Sequence, residues 1–423
     1  MLVQFRFKNF KSFKDEACLS LVSSNYYKDL PQNLIPMQSF SLLRGAVVFG
    51  ANASGKTKLF QAVNFMRQIV RYSAKNDSWK KLFSPFKLSV VNESSLFEVI
   101  FIHNSIQYRY GFEIKDFNIK AEWLFRKKAH EVQVFYRDGQ EVNFNSRYIS
   151  HDIASNLLSA NMITTDTLFI SALSRWNDAL SISLLDWFQK VNVLSASVNN
   201  FAGYSVSRLD SPMKSSIVNF LKYADTGIID LSVESISIDD VPDDIKRLLP
   251  NENIIKKVYK GVRTIHTLLD ENHIPKGTIE LSMENDESYG TYRIFALSAP
   301  IIDTLKKGNV LFIDEIDNGL HRNLLYAIIA LFNNPKINVN KAQLVINTHN
   351  TSLIDKNDIY RRDQIYLVSK NQAGESLLTP LSDFKLRESA KIGNLYKDGR
   401  LGGIPYLEDF DNFIISNSKE NDL

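Results

Sequence analysis

From Leu2 to Phe13 apolar and polar residues alternate, with Val3, Phe5 and Phe7 on one side and Gln4, Arg6 and Lys8 on the other, which predicts an edge-type strand pair. The run Gly45-Ala46-Val47-Val48-Phe49 is apolar without alternation and enters a glycine-containing turn. Behind the turn Leu59, Ala62, Val63, Met66, Ile69 and Val70 recur at helical spacing over residues 58–72, so the order reads buried strand, loop, helix. Residues 97–103, 108–114, 131–137 and 141–144 alternate again, with Asn104-Ser105 and Asp138-Gly139 as turn signals, and predict an antiparallel meander. Residues 180–274 are mixed and rich in helical spacing (Leu184, Leu185, Trp187 and Phe188, later Val218, Phe220 and Leu221), and read as an insertion that includes the stretch from Asp239 to Asp244. Then come the apolar run 310–313, helical spacing over 324–332 and a second apolar run at 343–347; strand–helix–strand units imply a parallel sheet. The polar tail 416–423 is expected to fray.

At 423 residues the chain has room for two or three structural units. Its 44% hydrophobic and 23% charged residues exclude disorder, collagen-like repeats and coiled-coil rods as the main architecture. A net charge of +3 is too small to announce a nucleic-acid or membrane surface. The single Cys18 excludes an intramolecular disulfide, and no apolar run reaches the roughly 18–20 residues of a membrane span. Since the N-terminus lacks the long apolar region of a secretory signal, the protein is expected in the cytoplasm.

Three polar groups terminate three of the apolar strands. Gly50-Ala51-Asn52-Ala53-Ser54-Gly55-Lys56-Thr57 fits G-x-x-x-x-G-K-[ST] at every constrained position, between a strand and a helix. Such a loop lets backbone N–H groups wrap phosphates at a helix N-terminus; Lys56 neutralises the outer phosphates and Thr57 offers its hydroxyl to Mg2+. Val310-Leu311-Phe312-Ile313 runs into Asp314-Glu315. Alone that is a strand entering a solvated acidic turn, but after a phosphate loop it divides labour: Asp314 holds magnesium through water and Glu315 orients or deprotonates the attacking water. Leu344-Val345-Ile346-Asn347-Thr348 leads to His349, and ligands of open α/β sheets bind at the carboxyl ends of strands, so the three groups are expected to converge on a γ-phosphate.

In this order, a Walker A motif at 50–57, a Walker B motif with a catalytic glutamate at 310–315, the following Asp317-Asn318-Gly319-Leu320-His321 and a switch His349 resemble the ATP-binding-cassette ATPases of the SMC, RecF and OLD type. The opening from Phe7 to Phe13 matches the "NF-x-SF" start of that group, away from the transporter branch. The resemblance implies an α/β ATPase head with a mixed P-loop core sheet, an antiparallel β subdomain and an inserted, mostly helical subdomain. It divides the chain into lobe I (1–178), insertion (179–277) and lobe II (278–423). It implies ATP and Mg2+ as ligands, with Asn9, Lys11 and Lys58 joining Gly50, Asn52, Ala53, Ser54, Gly55, Lys56 and Thr57 at the nucleotide, and a homodimer or higher oligomer that sandwiches ATP between heads. Glu287-Ser288-Tyr289-Gly290-Thr291 is the best candidate signature, placing Ser288 and Gly290 on the γ-phosphate from across the dimer; Ser288 also reads as a plain helix N-cap, and the two roles can coexist. The segment departs from the Leu-Ser-Gly-Gly-Gln form, and no Q-loop glutamine is found: the lobe-crossing stretch near 169–177 has none, and Gln107 reads as a meander strand residue.

A narrower resemblance rests on residues 45–56, on Asp166-Thr167-Leu168-Phe169-Ile170-Ser171 and on the ending from Tyr396 to Pro405. These are similar to the abortive-infection ATPases AbiLi and RloA, close to the ATPase component of the PARIS phage-defence system. That implies a separately encoded effector, a Toprim-type or other nuclease or toxin. Too few residues follow His349 for the acidic cluster of an OLD nuclease, so the chain itself is not expected to cut DNA. DNA remains a possible partner, as in the alternative of a RecF- or SMC-like DNA-binding repair ATPase. Lys385, Arg387, Lys391, Lys397 and Arg400 form either a partner or nucleic-acid contact or a basic solvated face.

Overall fold

Alternation in the first third of the chain becomes an antiparallel sheet, and the unalternating runs become parallel strands followed by helices. The computed structural model describes residues 1–195, 202–237, 257–355, 359–387 and 390–402; the stretch from Asp239 to Asp244, the Gly403–Pro405 part of the C-terminal motif and the polar tail lie outside them. In chain order the elements are β1 (Leu2–Lys8), β2 (Ala17–Ser20), β3 (Leu34–Pro36), β4 (Ser41–Leu43), β5 (Gly45–Gly50), α1 (Lys56–Tyr72), β6 (Ser95–His103), β7 (Ile106–Lys115), β8 (Asn118–Lys127), β9 (Glu131–Asp138), β10 (Glu141–Phe144), α2 (His151–Ser159), α3 (Phe169–Arg175) and α4 (Ala179–Gln189). There follow β11 (Val191–Leu194), α5 (Gly203–Val206), α6 (Lys214–Tyr223), β12 (Ile228–Ser237), β13 (Lys257–Leu269), β14 (Pro275–Ser282), α7 (Tyr289–Lys307), β15 (Val310–Ile313), α8 (Arg322–Asn333), β16 (Gln343–Asn347), α9 (Ser352–Asp355), β17 (Ile365–Lys370), β18 (Ser376–Pro380) and α10 (Ile392–Lys397). The chain divides into two compact units, one of residues 2–30, 46–188 and 347–423, the other of residues 1, 31–45 and 189–346.

The first unit holds a seven-stranded antiparallel sheet in the order β10-β9-β8-β7-β6-β1-β2. β1 and β2 form the terminal pair of this sheet, with β2 outermost and β1 flanked by β2 and β6; from the polar face of β1 the partly exposed Arg6 reaches the buried Glu98 on β6 at 2.8 Å. Phe7, Phe10 and Phe13 are fully buried and pack edge-on or stacked with one another, with Phe97 of β6 and with Phe65 of α1. Burying one such ring contributes about 1.5–3 kcal/mol, which fixes the helix behind the phosphate loop against the sheet. Beside the cluster, β5 pairs in parallel with β17, and β17 antiparallel with β18.

β8 escapes the alternation rule because register shifts at Glu113/Ile114 and Leu124/Phe125 bury Glu122, Trp123 and Leu124 in succession. The fully buried Glu122 carboxylate accepts from Phe169 N (2.6 Å), Ile170 N (3.1 Å) and Tyr110 Oη (3.0 Å), with Arg137 3.7 Å away, and so fastens the first turn of α3 to the sheet. Burial raises its pKa above the usual carboxylate value, while Arg137 and the two N–H groups pull the other way. Glu122→Ala is expected to cost about 3–5 kcal/mol, since it strands the buried Arg137 and two helix N–H groups. A lowered urea midpoint checks this, and an unchanged midpoint contradicts it.

In the second unit β11, β15 and β16 run parallel, and α7 packs on α5 and α6. Of residues 179–277, where a mostly helical insertion is expected, α4, α5 and α6 are helical, β11 pairs in parallel with β15, and from Ile228 the chain is a three-stranded antiparallel sheet, β12-β13-β14. β14 is exposed from Pro275 to Glu280, so it carries little of the apolar alternation by which a strand is read.

Candidate functional site

The phosphate-loop half of the site belongs to the first unit. β5 is buried throughout and ends at Gly50, and α1 starts at Lys56. Between them Ala53 (φ 60°) and Gly55 (φ 121°) take left-handed backbone conformations that close the turn. A Cβ on Gly55 would stand 2.4 Å from Ser376 Oγ and 3.1 Å from Ser12 Oγ, and one on Gly50 would stand 2.4 Å from Val368 O, so both glycines are required by close approach. Lys56, 5% exposed, points Nζ into the loop and donates to Gly50 O (2.8 Å) and Ala51 O (2.9 Å). Among the described residues, Ser54 Oγ, buried in the loop, has no hydrogen-bond partner. Asn52 and Ala53 are exposed, while Thr57 and Lys58 are half-buried.

The N-terminal "NF-x-SF" segment clasps this loop from outside. Asn9 and Lys11 both have positive φ, 53° and 56°. The Asn9 amide is used internally, donating to Glu93 O (2.8 Å) and accepting from Phe86 N (3.0 Å). Lys11 has its pKa lowered by partial burial and then by the neighbouring charges of Lys58 and Lys87, a cationic cluster that an anion would relieve. Ser12 O accepts from Ser376 N (2.7 Å), and Ser376 Oγ bridges Ser54 O (2.5 Å) and Ser12 Oγ (2.7 Å). Ser376 was invisible to sequence reading because its partners lie more than 300 residues away.

His349 also belongs to this unit. Thr348 N donates to Val48 O (3.2 Å), which puts the exposed His349 one residue past a main-chain bond to the strand that leads into the loop. The turn after it is built by Thr348 Oγ1 and Asn350 Oδ1, which accept from Asn350 N (2.9 Å) and Ser352 N (3.1 Å).

The carboxylate half belongs to the second unit. Asp314 follows β15 directly, is 3% exposed, donates its N–H to Leu194 O (2.8 Å) and accepts from Ser195 Oγ at Oδ2 (3.3 Å). Glu315 sits at φ 50°, a strained position for a residue with a Cβ, and its carbonyl accepts from Asn318 N (3.1 Å) and from the buried Arg293 (2.7 Å). Arg293 is reached from α7, whose N-cap is Ser288: its Oγ accepts from Thr291 N at 3.1 Å while the side chain stays exposed. A Cβ on Gly290 would stand 2.9 Å from Gly319 O, and one on Gly319 (φ 75°) 2.7 Å from the Tyr289 ring. The structure thus brings Ser288, Gly290, Asp314 and Glu315 together through Arg293 and Gly319. The signal for Arg293 was a charge on the buried stripe of α7, in register with Leu297, Pro300 and Thr304. Burial lowers its pKa, opposed by Tyr289, Glu315, Asp314 and Asp317.

Comparisons with known proteins give the class. The family model described as "AAA domain, putative AbiEii toxin, Type IV TA system" matches residues 46–153 and 164–355, well over half the chain, and the chain belongs to that family. Among solved structures, the SMC head domain from Thermotoga maritima is similar at 13% identity and a TM-score of 0.38, covering 90% of this chain and 98% of that one. None of the curated proteins matches. Among the described residues no helix is long and apolar enough to cross a membrane.

Proposed function

We propose that the chain is an ATP-hydrolysing switch. The observation that carries this reading is the phosphate loop itself: a glycine cradle at the start of a 17-residue helix, with Lys56 Nζ already held inside it by the Gly50 and Ala51 carbonyls. The donor set fits a nucleotide. Ser54 offers a buried hydroxyl that has no partner among the described residues, and Lys11, whose pKa is lowered by burial and by the charges of Lys58 and Lys87, adds positive charge next to the Ser12 contact with the loop. On this reading Lys56 exchanges its carbonyls for phosphate oxygens, and Thr57 directly and Asp314 through water would hold Mg2+, which would neutralise the phosphate charge. Glu315 orients the attacking water and accepts its proton, with its main chain held by Arg293 so that the carboxylate does not wander. His349 is assigned to the γ-phosphate, and Ser288 and Gly290 to the γ-phosphate of a second copy, so that two heads close around ATP.

The finer reading places the switch in the abortive-infection group of AbiLi and RloA, close to the PARIS ATPase, where closure controls a separate nuclease or toxin. Expression from the native operon with Glu315→Gln and ATP is expected to co-purify such an effector in fixed ratio. Recovery of DNA with no protein partner would favour the repair-type clamp, for which affinity falls steeply with salt. Phosphate release from ATP tests the enzymatic claim: it is expected with Mg2+ and abolished by EDTA, and its absence with Mg2+ would contradict the reading.

Ser376→Ala removes the bridge to Ser54 O and Ser12 Oγ. At about 1 kcal/mol for a lost neutral hydrogen bond, ATP affinity is expected to fall roughly fivefold without loss of fold. Titration calorimetry checks this; an unchanged Kd contradicts the clasp.

A further inference from the structure

We infer that the sheet β12-β13-β14 sets the position of the Ser288–Gly290 segment through Glu287, so that Glu287 is a positioning residue and the sheet an input to ATP-driven closure. The inference rests on the reading of Ser288 and Gly290 as the contact across the dimer. Glu287 immediately precedes the N-cap of α7, yet its carboxylate is turned onto the sheet: Oε1 accepts from Thr264 Oγ1 (2.6 Å) and meets His266 Nε2 at 2.7 Å, both on β13. The carboxylate is 9% exposed and the imidazole 19%. The carboxylate accepts from the Thr264 hydroxyl and, in the tautomer that carries the proton on Nε2, from the imidazole.

The chain on the N-terminal side of Glu287 is fastened to the same sheet. Met283 N donates to Val262 O (2.9 Å), Asp286 N to Ser282 O (2.9 Å), and Ser282 N to Asp286 Oδ2 (2.6 Å). On the C-terminal side, Tyr289 and Gly290 lie against Gly319, and Arg293 donates to the carbonyls of Asp314 and Glu315. The segment is therefore a bridge with the sheet at one end and the carboxylate turn at the other. A displacement of β13 moves Ser288 directly, and moves the main chain of Glu315 through one further helical turn. Helix α7 transmits this as a rigid element because Ser288 caps it and its inward face is buried.

The test is Glu287→Ala in the full chain, against Glu287→Gln, which keeps an oxygen acceptor for Thr264 and His266. Glu287→Ala is expected to lower ATP turnover about tenfold and weaken ATP-dependent self-association, with the Kd for a fluorescent ATP analogue unchanged; Glu287→Gln is expected to restore most of the turnover. Thr264→Val combined with His266→Leu, which cuts the link from the sheet side, is expected to reproduce the defect and serves equally if Glu287→Ala does not fold. Wild-type turnover in both would overturn the positioning role. Ser288→Arg separates the two claims. If it abolishes self-association while the Glu287 variant behaves as wild type, only the coupling fails; if Ser288→Arg is itself silent, the assignment of the dimer contact fails.

Discussion

Lys56→Met is expected to lower ATP affinity by about 10²-fold and to reduce phosphate release to background, because it removes charge-assisted hydrogen bonds to phosphate worth about 1.5–3 kcal/mol each. The amine is already inside the loop, 2.8 Å from Gly50 O and 2.9 Å from Ala51 O, so the wild-type side chain is ordered before nucleotide arrives and loses little conformational freedom on binding. Methionine preserves the length of the side chain, and the site is buried, so the fold should survive. Binding measured by fluorescence of an ATP analogue, with circular dichroism as the control for folding, separates the two effects. Wild-type affinity in a folded Lys56→Met would remove the phosphate loop from the account.

Glu315→Gln is expected to slow turnover by about 10²–10⁴-fold, the range for loss of a general base, while ATP binding persists. The substitution is isosteric, and what holds Glu315 in place is its carbonyl, bonded by Arg293 and Asn318, which the change leaves untouched. Its positive φ is tolerated equally by glutamine. Single-turnover measurement isolates the chemical step, and a variant that hydrolyses at the wild-type rate would show that the base is another residue. Asp314→Asn provides the contrast. It carries the magnesium role, so its defect should soften with rising Mg2+, whereas that of Glu315→Gln should not.

The parts of the site legible in the sequence are those whose chemistry is local. A phosphate loop needs eight consecutive residues between a strand and a helix, and the unalternating runs at Ala46–Phe49 and Val310–Ile313 announced strands buried on both faces. The meander was legible for the opposite reason, most clearly in β7, which buries Tyr108, Tyr110, Phe112 and Ile114 and leaves Arg109 and Glu113 partly exposed. What was hidden depends on contacts far apart in sequence. Ser376 touches Ser12 and Ser54 only because β18 returns beside the loop. Glu122 lies outside the strands that the sequence pattern predicts, and is a buried cap because Phe169 and Ile170 supply N–H donors to it. The sheet β12-β13-β14 gave the weakest pattern of all, since β14 faces solvent on both sides for most of its length. Asn9 illustrates a further limit: its place in the opening motif is clear, but its side-chain amide bonds to Glu93 and Phe86, partners the motif does not name, while Ser12 of the same motif reaches the loop through Ser376.

The most direct test of the switch is the mass of Glu315→Gln in solution, measured by light scattering after gel filtration with and without ATP and Mg2+. The account predicts an ATP-dependent step to at least twice the 48.4 kDa chain mass, absent in Lys56→Met and in Ser288→Arg. A mass that is the same with and without nucleotide would contradict closure of two heads around ATP.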